Sequence, residues 1–347
     1  MKSLFLVIFY YCLFLSQAFA QYKYVIYTDQ TPPTKANEVK ALMENLSPFS
    51  EMNMQIEVRS LSAQDLGCAT DSKNQRLVVC DHQSLTRRAS REGFDQPLVV
   101  SDNPNYGGSG GGVPVITSSP SVPASVMVHE YMHTLGFCDE YVYTVDDLAA
   151  YDYCTPRLTA RRPNLVRITP RSRGYRDDED ARRRHRNQIP WFGQIQDSTP
   201  ISSGSLGTPS DQSGQIGLFR SDMCMNSRRT LHLWRPGSTP TIMERNGEPL
   251  GVLEPILRDV LMSLGMSLRG PSASTATPTQ EPCDAGVPVT LTPQANENVS
   301  DFTSITKVIQ KRVNRPVLRN KIVIYPIKRT ESIKTEDDYN SSKAFGD

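Results

Sequence analysis

The stretch VMVHEYMHTLGFCDEY, residues 126–141, constrains this chain more than any other part of it. His129 and His133 are four residues apart, which places both imidazoles on one face of a helix, one turn apart. Two imidazoles in this arrangement aim at a common point and suit zinc. Glu130 lies on the neighbouring edge, where its carboxylate can take a proton from a water at the metal and later deliver it. The alternative is a surface helix with two solvated histidines and a salt-bridging glutamate.

A catalytic zinc requires a third protein ligand and an open position for water. Gly136 lets the chain turn sharply out of the helix, and it would also serve as an ordinary C-cap. Asp139, three residues further on, can then swing back to the metal. The residues therefore extend the pattern to HExxHxxGxxD, with Asp139 as the expected third ligand.

The extended pattern resembles the metzincin superfamily of zinc peptidases, in which the third ligand is His or, in some members, Asp. The superfamily also has a methionine-containing turn beneath the metal and a C-terminal helix after it. The segment TPTIMERNGEPLGVLEPILRDVLMSLG is similar to that element, so the resemblance implies that Met243 is the turn methionine. Met223 and Met225 in SDMCMNS are rivals, but no amphipathic helix follows them directly.

More specifically, the motif together with IPWFGQI, IGLF and LWRPGSTPTIM resembles bacterial secreted metallopeptidases of the IgA-peptidase type, over roughly residues 111–265. Those proteins carry an HExGH helix followed within a turn or two by Asp-Glu-Tyr. This sequence has Met132 where glycine is usual, and its acidic pair lies one residue nearer the histidines. Glu140 is therefore an alternative to Asp139 as ligand, although the spacing of Asp139 matches the aspartate form of the motif.

Three further histidines need an interpretation. His232, just before the methionine turn, is an alternative metal ligand or a stabiliser of the oxyanion of a tetrahedral intermediate, or it has only a structural role. His82 and His185 lie in segments without a ligand pattern. We expect both to be solvated or hydrogen-bonded.

The N-terminus MKSLFLVIFYYCLFLSQAFA predicts a signal peptide over residues 1–20, with a basic residue, an apolar run and Ala-Phe-Ala before the cleavage site. The apolar run is shorter than the roughly 20 residues that a spanning helix needs. No later segment is long and apolar enough to span a membrane. We therefore expect a secreted protein, extracellular or periplasmic, with no integral membrane segment after cleavage.

Cleavage would leave six cysteines, an even number that favours disulfides in an oxidising compartment. Cys68 with Cys80 and Cys138 with Cys154 are the locally plausible pairs, although spacing alone does not fix the connectivity. Cys138 is adjacent to the expected ligand, so a latency switch on the metal is the alternative to a disulfide.

Residues 21–270 are predicted to form one α+β domain. The segments YKYVIYT, MQIEVRSL, QRLVVCD, QPLVVSD and GVPVITS predict strands, and TKANEVKALMENL predicts a helix. The last strand candidate is expected to be an edge strand for substrate, and the glycines of NPNYGGSGGG mark a loop or a close backbone approach. Ser121 is the candidate cap of the motif helix, and Leu250–Leu264 predicts an amphipathic helix that ends at Gly265. The resemblance implies a zincin-like, metzincin-type fold with a mixed twisted sheet, an active-site helix, a methionine turn and a C-terminal helix.

Residues 155–215 are interpreted as an insertion, and part of it is dense in arginine. A nucleic-acid patch is one interpretation. A solvated segment, partly neutralised by its own acidic residues 177–180, is favoured, because the segment has few aromatic residues and the chain has a net charge of only +1. Residues 271–284 have the composition of a linker, and residues 285–347 of a small accessory or partly disordered extension.

The motif and the resemblance together predict a secreted zinc endopeptidase. It would hydrolyse peptide bonds of a protein or peptide substrate through a zinc-activated water, with one catalytic Zn²⁺ and Glu130 as general base. A zinc-dependent hydrolase of a non-peptide amide is one alternative, because the metal chemistry does not specify the acyl group. A secreted binding module that retains a metal helix is the other, and the intact Glu130 argues against it.

Overall fold

The computed structural model describes residues 21–72, 77–104, 107–151, 153–155, 159, 161–229 and 231–269. The predicted signal peptide, linker and C-terminal extension lie outside the described residues. No helix in the described part of the chain has the length and apolar character needed to cross a membrane.

The described residues form a mixed α+β structure. Its strands are β1 (Tyr22–Thr28), β2 (Met54–Ser60), β3 (Ala69–Thr70), β4 (Val78–Val79), β5 (Gln96–Ser101), β6 (Gly108–Ser109), β7 (Val115–Thr117), β8 (Arg161–Arg162), β9 (Leu165–Arg167), β10 (Phe219–Ser221) and β11 (Leu233–Arg235). Its helices are α1 (Thr34–Asn45), α2 (Ala63–Leu66), α3 (His82–Arg91), α4 (Ser125–Thr134), α5 (Val145–Ala150), α6 (Asp178–His185) and α7 (Leu253–Ser263). The five predicted strands and the predicted first helix are therefore confirmed, although the strand predicted in QRLVVCD has only two residues.

The main sheet has the order β2-β1-β5-β7-β6. The first four strands are parallel, and β6 is antiparallel to β7. Alternate residues of β1 enter different cores: Tyr24 and Ile26 join the large cluster that includes α1 and α4, whereas Val25 and Tyr27 join a smaller cluster with α3. Both faces of the sheet are thus covered, which explains why its strands are nearly continuous apolar runs.

The expectation that GVPVITS is an edge strand is wrong. β7 lies between β5 and β6, because Gly108 and Ser109 of the glycine-rich segment form a short strand that pairs with its outer side. That segment was predicted only as a loop or close approach. The edge next to the motif helix is therefore β6.

The segment predicted as an insertion contributes to the core. β9, from within it, is a central strand of a four-stranded antiparallel sheet of order β10-β11-β9-β8. Val166, Trp191 and Ile201 are buried in the same cluster as the motif helix. This part of the chain is therefore integral to the described domain.

The acidic and basic residues of the arginine-rich segment neutralise one another, as predicted. Asp177 caps α6 by accepting from the amide of Asp180, and Asp180 forms ion pairs with Arg183 and Arg184. Arg182, however, is buried and donates to Asp178 at 2.6 Å and to main-chain carbonyls. The segment is therefore not solvated throughout.

Of the two local disulfides predicted, one is confirmed and one is wrong. Cys68 and Cys80 are bonded. Cys154 is bonded to Cys224, 70 residues away in sequence, and Cys138 is free. The long-range bond forms because the turn after β10 packs into a buried cluster with the segment that contains Cys154.

Candidate metal centre

Helix α4 is held against the sheet by the side opposite its histidines. Met127, Val128 and Tyr131 are fully or almost fully buried, and the Tyr131 hydroxyl lies 2.7 Å from that of Tyr24 on β1. The predicted cap is wrong, because the helix begins four residues later and Ser121 instead bonds the hydroxyl of Ser119. The histidines are therefore carried by a helix that is fixed by packing rather than by capping.

Three atoms of the candidate ligands converge beside this helix. The Nε2 atoms of His129 and His133 are 3.1 Å apart. Oδ1 of Asp139 lies 3.1 Å from the first and 3.2 Å from the second. The structure thus brings together the two predicted histidines and the predicted aspartate.

The orientation of both imidazoles fixes which nitrogen carries the proton when the rings are neutral. Nδ1 of His129 is 2.8 Å from the carbonyl of Ile242, and Nδ1 of His133 is 3.0 Å from that of Phe137. A carbonyl only accepts, so in each neutral ring Nδ1 carries the proton and Nε2 presents its lone pair. Rings held in this way by main-chain carbonyls are typical of metal-binding histidines.

Oδ1 of Asp139 is buried without a hydrogen-bond partner among the described residues. Its other oxygen accepts a hydrogen bond of 2.7 Å from the Tyr143 hydroxyl. A buried orphan carboxylate oxygen that faces two nitrogen lone pairs is unfavourable unless a cation lies between them.

The spacing of the three atoms suits a small tetrahedral ion. With zinc bonds of about 2.0–2.1 Å, two ligands of a regular tetrahedron are about 3.3–3.4 Å apart. The three separations here are 3.1, 3.1 and 3.2 Å. The residues present therefore fit a metal ion without rearrangement of the main chain.

The charges around the centre favour a cation. Burial lowers the pKa of His133, but Asp139 and Glu130 outweigh burial and raise that pKa to about 9. Burial opposes ionisation of Asp139, yet the two facing histidines hold its pKa well below the usual range. The same field that favours a proton on these rings favours a metal ion among them.

Gly136 supplies the turn that joins the helix to Asp139, as predicted. Its φ is +90°, a left-handed conformation that suits glycine. The amide of Phe137 donates back to the carbonyl of Met132 at 3.1 Å. This closure places the Phe137 carbonyl where it accepts from His133.

Glu140, the predicted alternative ligand, occupies a different place. Its carboxylate accepts from the Asn164 amide at 3.0 Å and from the Thr241 hydroxyl at 2.8 Å. Burial raises the pKa of Glu140 to about 7, although Asn164, Arg235 and Thr241 act in the opposite direction. The two members of the acidic pair thus have separate environments, and only Asp139 faces the imidazoles.

Met243 lies in a turn whose main chain contacts His129 and Glu140. It is fully buried, its carbonyl accepts from the amide of Glu140 at 2.8 Å, and the preceding carbonyl accepts from His129. Of the rivals, Met223 lies in the separate cluster around Cys154 and Met225 is 67% exposed. Helix α7 follows Met243 and ends before Gly265, in agreement with the predicted order of turn and helix.

Glu130 completes a group with both histidines, since the three residues offer ligand atoms within 4.8 Å of one another. Burial raises the pKa of Glu130, although both histidines lower it. A β-carbon on Gly108 would lie 2.8 Å from its carboxylate, and one on Gly110 would lie 2.4 Å from Cβ of His133. The predicted close backbone approach of the glycine-rich segment is confirmed.

The remaining histidines lie outside this group. His82 accepts from the amide of Val113 at 2.7 Å, and His185 bonds Tyr175 at 2.7 Å, so the expectation of hydrogen-bonded side chains is confirmed. His232 is half-buried, and its Nδ1 has no partner in the described part of the chain. It is not among the residues grouped with the two motif histidines.

Sequence reasoning missed the buried polar residues that support the centre. Asn164 exchanges two hydrogen bonds of 2.8 Å with the main chain of Cys138 and also binds Glu140. Thr241 binds both Glu140 and the amide of Met243. No local pattern in the sequence marks Asn164. Thr241 could have been identified, because it lies two residues before the turn methionine.

The comparison with known proteins matched no protein family and no curated protein. The centre is therefore interpreted from its own geometry and chemistry.

Proposed function

We propose that this protein is a secreted zinc-dependent endopeptidase with a metzincin-type catalytic domain. The observation that carries the proposal is the convergence of three lone-pair donors at 3.1–3.2 Å, with Glu130 beside them. His129, His133 and Asp139 are the proposed ligands.

Zinc is the proposed metal because the donor set is two nitrogens and one oxygen with tetrahedral spacing. Three protein ligands leave a fourth position open, which is the arrangement of catalytic rather than structural zinc sites. Zinc in such a site acts as a Lewis acid on the scissile carbonyl and lowers the pKa of water.

Glu130 is the proposed general base and acid. Its burial and raised pKa favour proton uptake from the attacking water, and the same proton is then delivered to the leaving amine. His129 and His133 hold their Nδ1 protons on main-chain carbonyls, so neither ring needs to reorient during turnover.

A peptide is the proposed substrate because of the strand next to the centre. β6 pairs with β7 and occupies the end of the main sheet, and its Gly108 lies against Glu130. An extended peptide can pair with such an edge through main-chain hydrogen bonds. A small amide would make no use of it.

The test is zinc content and proteolysis by the purified mature protein and its Glu130→Gln variant. We expect one zinc ion per chain in both proteins, and cleavage of an unfolded protein substrate by the wild type that a zinc chelator abolishes. Loss of the general base should lower kcat about 10²–10⁴-fold while the zinc remains bound. The matched control is Glu248→Gln, which removes a carboxylate from a surface ion pair with Arg245.

Full activity in Glu130→Gln would contradict the proposed mechanism. Cleavage of simple amides without cleavage of peptides would identify the non-peptide hydrolase instead. Protein binding that survives the chelator, without hydrolysis, would identify a binding module.

A further inference from the structure

Asp139 uses its two carboxylate oxygens differently. Oδ1 faces both imidazoles, at 3.1 and 3.2 Å, whereas Oδ2 accepts from the Tyr143 hydroxyl at 2.7 Å. A carboxylate can bind a metal through one oxygen or through both. A hydroxyl that already occupies Oδ2 opposes the second mode.

We infer that Tyr143 is a positioning residue that keeps Asp139 a one-oxygen ligand and so leaves the fourth metal position open. The inference rests on the proposed function, because it concerns the same metal. The chemistry that Tyr143 supplies is a single hydrogen bond, from a neutral hydroxyl to the carboxylate oxygen that must stay off the ion. Hydrogen bonds to ligating carboxylates commonly orient them in this way.

The ring of Tyr143 is held on several sides. It is 4% exposed, it stacks on Tyr153 at 4.7 Å with an interplanar angle of 23°, and it meets the edge of Tyr141 at 5.3 Å. Contacts of this kind restrict rotation of the ring. The hydroxyl is therefore fixed before any metal binds.

The main chain of Tyr143 is also fixed. Its amide donates to the carbonyl of Met223 at 3.0 Å, and its carbonyl accepts from Asn226 at 2.8 Å. Met223 precedes Cys224, and Tyr153 precedes Cys154, so the disulfide between these cysteines ties together the two segments that hold Tyr143. A long-range covalent bond thus supports one hydrogen bond to the third ligand.

The experiment compares Tyr143→Phe with wild type and with Tyr27→Phe. The control removes the same kind of bond, a tyrosine hydroxyl donating to a carboxylate at 2.8 Å, but to Glu92 in the other core cluster. Zinc affinity is measured by competition with a chromogenic chelator. We expect Tyr143→Phe to bind zinc about 10–100-fold more weakly, and Tyr27→Phe to bind it as the wild type does.

A second readout separates positioning from general support. Cobalt is substituted for zinc, and its visible absorption is recorded, since four-coordinate cobalt absorbs more strongly than five-coordinate cobalt. We expect the intense four-coordinate spectrum in the wild type and in Tyr27→Phe. In Tyr143→Phe, release of Oδ2 to the metal should weaken the bands.

Unchanged zinc affinity in Tyr143→Phe would overturn the inference, and so would a weaker affinity with an unchanged cobalt spectrum. A wild type that binds no stoichiometric metal would overturn the proposed function and the inference with it. If metal-free Tyr143→Phe does not melt cooperatively, Tyr153→Leu takes its place under the same criteria. That variant loosens the ring of Tyr143 without deleting the hydroxyl.

Discussion

The described residues between 22 and 136, here called the sheet half, and those between 137 and 252, the loop half, hold their shapes by different means. In the sheet half, parallel strands pair in continuous register and helices cover both faces. In the loop half every described strand has only two or three residues. Hydrogen bonds from buried side chains take the place of hydrogen bonds between strands: the indoles of Trp191 and Trp234 both donate to main-chain carbonyls, at 2.7 and 2.8 Å. The structure of the sheet half is therefore maintained by many equivalent main-chain hydrogen bonds, whereas that of the loop half depends on single side chains.

The candidate metal centre draws on both halves. His129 and His133 come from a helix of the sheet half, and Asp139 comes from the start of the loop half. The proposed third ligand therefore lies in the half whose structure depends on single side chains. Changes in the loop half should affect metal binding more than comparable changes in the sheet half.

The largest expected effect is that of Glu140→Ala. The change leaves Asn164 and Thr241 without their carboxylate partner, and it removes the more distant of the two acidic partners of Arg235, which keeps its ion pair with Glu244. Each buried polar group left without a partner costs about 1–3 kcal/mol, so the loss of the carboxylate shared by Asn164 and Thr241 should lower the free energy of unfolding by about 2–6 kcal/mol. Urea unfolding followed by circular dichroism measures this loss, and zinc affinity should fall as well.

The control for that variant is Glu92→Ala in the sheet half. Glu92 binds Tyr27 and Arg59, but its side chain is 25% exposed. We expect a loss of about 1 kcal/mol, because water can replace the missing partner. Equal losses of unfolding free energy in Glu140→Ala and Glu92→Ala would contradict the inference that the loop half depends more on single side chains than the sheet half does.

The two disulfides provide the second test. Replacement of Cys154 and Cys224 by serine releases a loop of 70 residues, and replacement of Cys68 and Cys80 releases one of 12. Chain-entropy arguments give losses of about 4 and about 3 kcal/mol in the free energy of unfolding. Thermal melts of the two double variants measure this small difference.

Zinc affinity should separate the two double variants more clearly than stability does. Only the Cys154–Cys224 bond adjoins the residues that hold Tyr143, so only its loss should weaken zinc binding. Comparable weakening in the other double variant would show that stability alone controls the metal centre.

The same difference explains what could be predicted from sequence. The strands and first helix of the sheet half follow from apolar runs and three-to-four spacing, which are local signals. The His129–His133 pair, the turn at Gly136 and the methionine turn followed by a helix are local patterns too. Each depends on residues within a few positions of one another, so the chain itself carries the signal.

The unpredicted features depend on contacts between distant segments. Cys154 lies 16 residues from Cys138 but bonds to Cys224. Asn164 supports the acidic pair from within a segment interpreted as an insertion, and the choice between Asp139 and Glu140 depends on where Thr241 lies. The spacing of residues along the chain does not indicate these contacts, because the partners meet only after the loop half has folded.

The smallest expected effect lies where the glycine-rich segment crosses helix α4, and Gly110→Ala tests it. The new Cβ would lie 2.4 Å from Cβ of His133 and 2.8 Å from the carbonyl oxygen of Glu130, so the main chain of one segment must move. Overpacking of this kind lowers the free energy of unfolding by about 1–3 kcal/mol. The matched control is Gly193→Ala in the loop half, where a Cβ meets nothing within 4 Å.

The zinc affinity of Gly110→Ala shows whether β6 is as rigid as the rest of the sheet half. If the short β6 strand and the helix are as rigid as the rest of the sheet half, the displacement must pass to His133, and zinc binding should weaken severalfold. If stability falls while zinc affinity stays at the wild-type value, the edge strand yields instead of the helix. The rigid region would then end at β7, and the strand proposed to receive substrate would behave like the loop half.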